Sequence, residues 1–313
     1  MTKIKSFLEF KQISNDKKEA IINILDNVFL FQNLQKSYNG KSNIKKVYKV
    51  IEEDIIPIFN SGKHLDFTGK LFNVLNQWVY IPYNAQNDVV FTPRYICELM
   101  AKLCKVNKDS YVWDYALGTG GFLISSKKLM IKDAGNFYIN NPTKLKQKII
   151  DIKTKQLLGI ELRSDIYMLT VLNMILMEDG SSHLLNEDSL KDFDGKYEIE
   201  NKKVDFPANI FLLNPPYSAD GKGLIFVDKA FKKMKNGKGA ILIQENAGFG
   251  QGSGYTKEIL KNNTLLASII HLEDIFCGKS LVQVAIFLFD IGIPHNKDKL
   301  VKYIDFSKFS YSS

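Results

Sequence analysis

Two spacings of apolar residues divide the chain. In its first part they recur at helical intervals, at Ala20, Ile21, Ile22, Ile24, Leu25, Val28 and Phe29, then at Val47, Val50, Ile51, Ile55 and Ile56. A stripe repeating every ~3.6 residues predicts amphipathic helices. Tyr38-Asn39-Gly40 reads as the turn between them, a third helix is expected over about 67–79, and Pro82-Tyr83-Asn84 reads as a linker. From Asn87 onward the pattern changes to short apolar runs alternating with helical stretches. Such runs are strands buried on both faces, and their alternation with helices predicts an α/β fold with a doubly wound parallel sheet. The domains expected are 1–85, helical, and 86–313, built on the sheet. Lys191 to Asp205 reads as a charged, solvated loop whose lysines could touch phosphates.

One strand ends abruptly. Phe211-Leu212-Leu213 stops at Asn214-Pro215-Pro216-Tyr217, where two prolines without N–H groups and with fixed φ halt both ladder and helix. In an open parallel sheet, ligands sit outside the carboxyl ends of the strands, where this tetrapeptide falls. The stiff backbone can aim two acceptors, the Asn214 side-chain oxygen and the Pro215 carbonyl, at one point. A planar NH2 held there donates both hydrogens, and its lone pair is pushed out of conjugation towards an electrophile. Tyr217 can stack on the ring that carries the amine. Taken without its neighbours, the same run is a proline-terminated strand with an asparagine in a turn.

Three further strand ends bear on it. Tyr111-Val112-Trp113-Asp114 is followed by Leu117-Gly118-Thr119-Gly120-Gly121-Phe122-Leu123 and then a helical stretch. In that order a glycine turn brings backbone close to a ligand at a helix N-terminus. Gln156 to Ile160 ends at Glu161, placed for the two hydroxyls of a ribose or for the N-terminus of the helix expected from about Ser164 to Glu178. In Asn186-Glu187-Asp188-Ser189-Leu190, Asp188 can accept from an adenine amino group or cap a turn. The four ends together describe a nucleoside pocket beside an amine-holding site.

With 313 residues and 45% apolar content the chain can bury a full core. Its formal charge of +8 is compatible with a polyanionic partner. Arg94 and Arg163 are its only arginines, and arginine is the usual bidentate reader of guanine, so base-specific readout is expected to come from elsewhere. Cys97, Cys104 and Cys277 form neither a paired framework nor a metal spacing, and His64, His183, His271 and His295 are scattered, so no metal is expected. Met1 to Phe10 lacks an apolar run of signal-peptide length, and no stretch approaches the ~20 apolar residues of a membrane span. A cytoplasmic, reduced protein without membrane contact is expected.

These residues resemble the N6-adenine DNA methyltransferases, and in detail the modification subunits of type I restriction-modification systems. Asp114 to Leu123 is similar to that family's cofactor loop, although Tyr115 stands where the family usually has proline. Phe91-Thr92-Pro93-Arg94 is similar to its Phe-Thr-Pro-Arg segment; Glu161, Asn173-Met174-Ile175-Leu176, Asp188 to Leu190 and Asn214 to Tyr217 match as well. The resemblance implies a Rossmann-like sheet of the S-adenosylmethionine-dependent methyltransferases, with Leu265 to His271 and Val282 to Asp290 paired as an antiparallel hairpin and a small helical domain in front. It implies S-adenosylmethionine as cofactor, with Val90, Phe91, Thr92, Pro93 and Arg94 approaching it. Gly118, Thr119, Gly120, Gly121 and Phe122 would serve its methionine part beside Asp114, Glu161 its ribose, and Asp188, Ser189 and Leu190 its adenine.

The reaction so implied is methyl transfer to N6 of a flipped adenine, with Asn214, Pro215, Pro216 and Tyr217 at the amine. Phe276, in Ile275-Phe276-Cys277-Gly278-Lys279, matches a second aromatic on the flipped base or is a core aromatic before a strand. The implied partners are DNA and the specificity (S) and restriction (R) subunits of a type I system. The chain ends at Ser313 shortly after the strand-like Val301 to Ile304, so sequence reading and the helices that dock a specificity subunit are expected outside it. Competing readings are a catalytically silent, cofactor-binding assembly subunit and a methyltransferase of protein glutamine or of guanine N2 in ribosomal RNA, which use the same Asn-Pro-Pro-Tyr.

Overall fold

A computed structural model describes residues 18–19, 22–23, 36–38, 41–50, 52–53, 92–177, 179, 181–199, 202–270, 275 and 283–306. Contacts divide the chain into two units, residues 1–80 with 171–181, and residues 81–170 with 182–313. In the first unit, β1 (Ser37–Tyr38) and β2 (Lys41–Ser42) pair antiparallel, and α1 (Asn43–Val50) follows. The helix expected over about 67–79 lies outside the described residues.

The second unit is organised on an eight-stranded sheet. Its chain runs α2 (Arg94–Leu103), β3 (Val112–Asp114), α3 (Gly121–Phe137), α4 (Pro142–Lys155), β4 (Leu157–Ile160), and the start of α5 (Ser164–Leu176). Then come β5 (His183–Leu185), β6 (Lys196–Ile199), β7 (Lys202–Asp205), β8 (Ile210–Leu213) and α6 (Leu224–Lys233). It closes with β9 (Gly237–Gln244), α7 (Ser253–Asn262), β10 (Asn263–Ile270), β11 (Val284–Ile291) and β12 (Lys302–Asp305). The strand order is β12-β10-β11-β9-β8-β3-β4-β5. β5, β4, β3, β8 and β9 run parallel, while β11 is antiparallel to both β9 and β10. The expected C-terminal hairpin is therefore formed, as β10 and β11.

The apolar runs are continuous because both faces of the sheet are covered. Trp113, Leu158, Ile160, Phe211, Leu213, Ile241 and Ile243 enter one core with Leu224, Val227 and Phe231 of α6. The residues alternating with them along the strands face the other way. On that face Gly159 leaves room for Leu117 and Leu123, since a Cβ there would stand 2.5 Å from Leu117 and 2.9 Å from Leu123.

Lys191 to Asp205 corrects the solvated-loop reading, because β6 and β7 pair antiparallel from Lys196↔Asp205 to Ile199↔Lys202. The described lysines and acids of this segment face solvent, while its Phe193 and Tyr197 and the following Phe206 are buried, Phe193 and Phe206 against Trp113. Tyr197 meets Phe206 edge-on at 5.0 Å and His183 at 4.8 Å. Two aromatic rings in the charged segment, with Phe206 just after it, supply enough apolar area to fold it onto the core.

Candidate active site

From β3 the chain steps outward to β4 and β5, then returns to lay β8 on the other side of β3. At such a reversal the loops leaving the two central strands diverge and a crevice opens between them. An open cleft of about 310 Å³ lies there, lined by Thr92, Cys97, Ala116, Leu117, Gly118, Thr119, Gly121, Phe122 and Asn214.

One wall is the glycine loop. Gly118 (φ 52°) and Gly120 (φ 79°) adopt left-handed backbone, which side chains disfavour, and Gly120 caps α3 without a side-chain bond. The first turn of any α-helix leaves N–H groups without intrahelical partners, and at Gly121 and Phe122 that turn borders the cleft. The loop is held from both sides. Glu161 Oε2 accepts from Gly118 N at 2.9 Å, and the hydroxyl of Thr170 on α5 reaches the Gly118 carbonyl and, at 3.0 Å, that of Ile166. Leu117 N donates to the Ile160 carbonyl at 2.9 Å, tying the loop to the end of β4.

The acids stand at the ends of adjacent strands. Asp114 is fully buried beneath the loop, with Oδ1 accepting from Ala116 N at 3.1 Å and no partner for Oδ2 among the described residues. Burial pushes its carboxyl up to about 8, against the Ala116 hydrogen bond and with help from the Glu161 charge. Burial also raises Glu161, which its bonds from Arg163 N and Gly118 N oppose. Each Glu161 oxygen accepts one backbone N–H and keeps a further lone pair for a hydroxyl. Asp188 caps a turn, with Oδ1 accepting from Leu190 N at 2.8 Å and Lys191 Nζ 3.5 Å from Oδ2. Ser189 Oγ donates to the Tyr115 carbonyl at 2.9 Å, so the loop after β5 is fastened to the loop after β3. Leu190 is partly buried against the core.

The opposite wall is the end of β8. Asn214 is half-buried, and its Nδ2 donates to Thr92 Oγ1 at 3.0 Å. Nothing donates to its Oδ1 among the described residues. Pro215 is buried, and Gly223 (φ 95°) packs so closely that a Cβ there would lie 2.6 Å from it. The Pro216 carbonyl accepts from Ala219 N at 3.1 Å, whereas no backbone N–H among the described residues is bonded to the Pro215 carbonyl. Tyr217 is half-buried, which pushes its phenol well above the usual range.

The cleft thus gathers Thr92, Gly118, Thr119, Gly121, Phe122 and Asn214. Pro93 and Arg94 start α2 beside it, and Val90, Phe91 and Phe276 lie outside the described residues. Cys97 and Thr170 were not foreseen, and Ala116 and Leu117 were expected only as parts of the loop Asp114 to Leu123. Thr170 had one signal, an aliphatic hydroxyl set between the apolar stretches Ile166-Tyr167-Met168-Leu169 and Val171-Leu172. A glycine cradle, a helix N-terminus and a carboxylate with spare lone pairs are donors and acceptors that fit a nucleoside bearing an amino-acid tail.

Solved structures share this fold. One assigned to the class I S-adenosylmethionine-dependent methyltransferases, from Listeria monocytogenes, matches 94% of this chain and 94% of its own with TM-score 0.55 and 17% identity. Another, assigned as a modification subunit of a type I restriction enzyme from Vibrio vulnificus YJ016, matches 78% of this chain and 54% of its own with TM-score 0.58 and 17% identity. The fold is that of the S-adenosylmethionine-dependent methyltransferases. Residues 80–235 match the family described as N-6 DNA Methylase. The type II restriction enzyme and methyltransferase RM.BcgI of Heyndrickxia coagulans is 31% identical over 276 residues, 84% of this chain. The chain belongs to the N-6 DNA methylase family, and it spans 40% of the length of that relative.

Proposed function

We propose that this chain transfers the methyl group of S-adenosylmethionine to N6 of an adenine in DNA, in the cytoplasm, as the modification subunit of a type I restriction-modification complex. The observation that carries the reading is that Asn214, with an acceptor oxygen to which no described residue donates, shares one cleft with the glycine loop Gly118 to Gly121. Gly118 to Gly121 and Phe122 would hold the cofactor's methionine part beside Thr92 to Arg94, Glu161 its ribose hydroxyls, and Asp188 to Leu190 its adenine. Bound there, the cofactor supplies an electrophilic methyl on a sulfonium.

The chain's own residues position and polarise. Asn214 Oδ1 and the Pro215 carbonyl accept the two N6 hydrogens, and the nitrogen lone pair is left to form the new N–C bond as the S–C bond breaks. The surplus N6 proton leaves through the same acceptors to water. An adenine in duplex cannot reach the cleft, so the base flips and Tyr217 stacks on it, with Phe276 as a second face. DNA and the specificity and restriction subunits are the partners.

The test is incorporation of labelled methyl into unmethylated DNA, by the chain alone and with a candidate specificity subunit, read as N6-methyladenine. Asn214→Ala loses about 2.7 kcal/mol or more of transition-state stabilisation, roughly a hundred-fold in turnover. Cofactor affinity stays within a few-fold. Unchanged turnover in that variant would sink the mechanism, and methylation of RNA or of glutamine in place of DNA would redirect the substrate.

A further inference from the structure

We infer that Thr92 is a positioning residue that fixes which end of the Asn214 amide meets the substrate; this rests on the methyl-transfer reading of the site. A carboxamide turns about its last bond between two nearly isosteric states, and only one presents oxygen to an incoming amine. The other presents NH2, which repels the N6 hydrogens it should accept. Thr92 Oγ1 accepts from Asn214 Nδ2 at 3.0 Å and takes the nitrogen end out of play. Thr92 is itself anchored. Cys97 Sγ contacts its carbonyl at 3.7 Å, and Ile96 N and Cys97 N both donate to the Pro93 carbonyl as α2 begins. A hydroxyl that accepts from Asn214 keeps its own hydrogen for the cleft that Thr92 also lines. The segment before α2 therefore acts on the amine as well as on the cofactor side.

The experiment compares Thr92→Val, which keeps the shape without the hydroxyl, with Thr92→Ser, which keeps the hydroxyl. Turnover on DNA with labelled S-adenosylmethionine, cofactor Kd by calorimetry and hydrogen exchange at the Asn214 side-chain amide are measured together. The last is followed by NMR with nitrogen-labelled asparagine and assigned by the signal missing from Asn214→Asp. Thr92→Val should lower kcat about ten- to a hundred-fold, in line with losing an oriented polar group in a transition state. Its cofactor Kd should rise less than about five-fold, the effect of one neutral hydrogen bond. Slow exchange of the bonded Nδ2 hydrogen should vanish in Thr92→Val, and Thr92→Ser should restore both turnover and protection.

Equal losses in kcat and cofactor affinity, with amide protection unchanged, would make Thr92 a plain cofactor contact and overturn the inference. Unprotected Nδ2 in the unsubstituted protein would overturn it as well. A protected, Thr92-dependent amide in a protein that methylates no DNA would instead count against the methyl-transfer reading and leave the Thr92–Asn214 geometry standing.

Discussion

Asp114 shows how far burial sets the chemistry of a residue. Its carboxyl, raised to about 8 chiefly by desolvation, keeps its proton in the folded chain where the unfolded chain has lost it. The sign follows from proton counting. Between the ordinary carboxylate value near 3.9 and about 8 the folded state binds the extra proton, so the contribution of this group is fully present below that range and is lost as pH rises through it. The uncharged amide of an Asp114→Asn variant would carry no such dependence and could still accept from Ala116 N. We expect the melting temperature of Asp114→Asn, relative to the unsubstituted protein, to rise by about 3 °C or more between pH 5 and pH 8.5, the shift that ~1 kcal/mol makes in a domain of this size. A parallel pair of curves would refute the burial assignment. Asp114, Glu161 and Asn214 were legible as strand-end residues because each closes an apolar run. Thr92 was legible only as part of a motif, because its partner Asn214 lies 122 residues away and no local pattern links them.

At the scale of elements, β4 and the loop after β3 are fitted to each other through a missing side chain. Gly159 pairs with Asp114 in register, and Leu117 and Leu123 occupy the space its Cβ would need. Gly159→Ala should cost ~1–3 kcal/mol of stability, as overpacking does. Leu117 lines the cleft, so its displacement should also weaken S-adenosylmethionine binding about ten-fold, or ~1.4 kcal/mol. Thermal melting and calorimetry check the two effects separately, and a stable variant with unaltered affinity would show that the loop adapts. Periodicity read the strands of the parallel sheet well because both faces are apolar. It misread β6 and β7, whose exposed lysines and acids outnumber the buried Tyr197, and it passed over Thr170, whose bond to Gly118 becomes visible only when α5 is laid beside the loop.

For the whole molecule, alternation of strand and helix together with the terminal hairpin was enough to imply the sheet. The order of its strands, and hence the placing of β8 beside β3, is what turns scattered motifs into one cleft. Charge added little at this scale. The +8 balance is carried almost wholly by lysine, which attracts phosphate without reading bases.

The neighbouring of β3 and β8 also has a consequence in time. Tyr111 N is bonded to the side chain of Asn209, 98 positions further along the sequence, and the two walls of the cleft hang from that junction. Bringing ends so distant together carries a loop-closure entropy that local helices do not meet, and chains dominated by such contacts fold slowly. Ligand binding should therefore be among the last properties regained on refolding. After dilution from denaturant, helical circular dichroism should return first and S-adenosylmethionine binding in a later phase; recovery of both in a single phase would contradict a cleft assembled last.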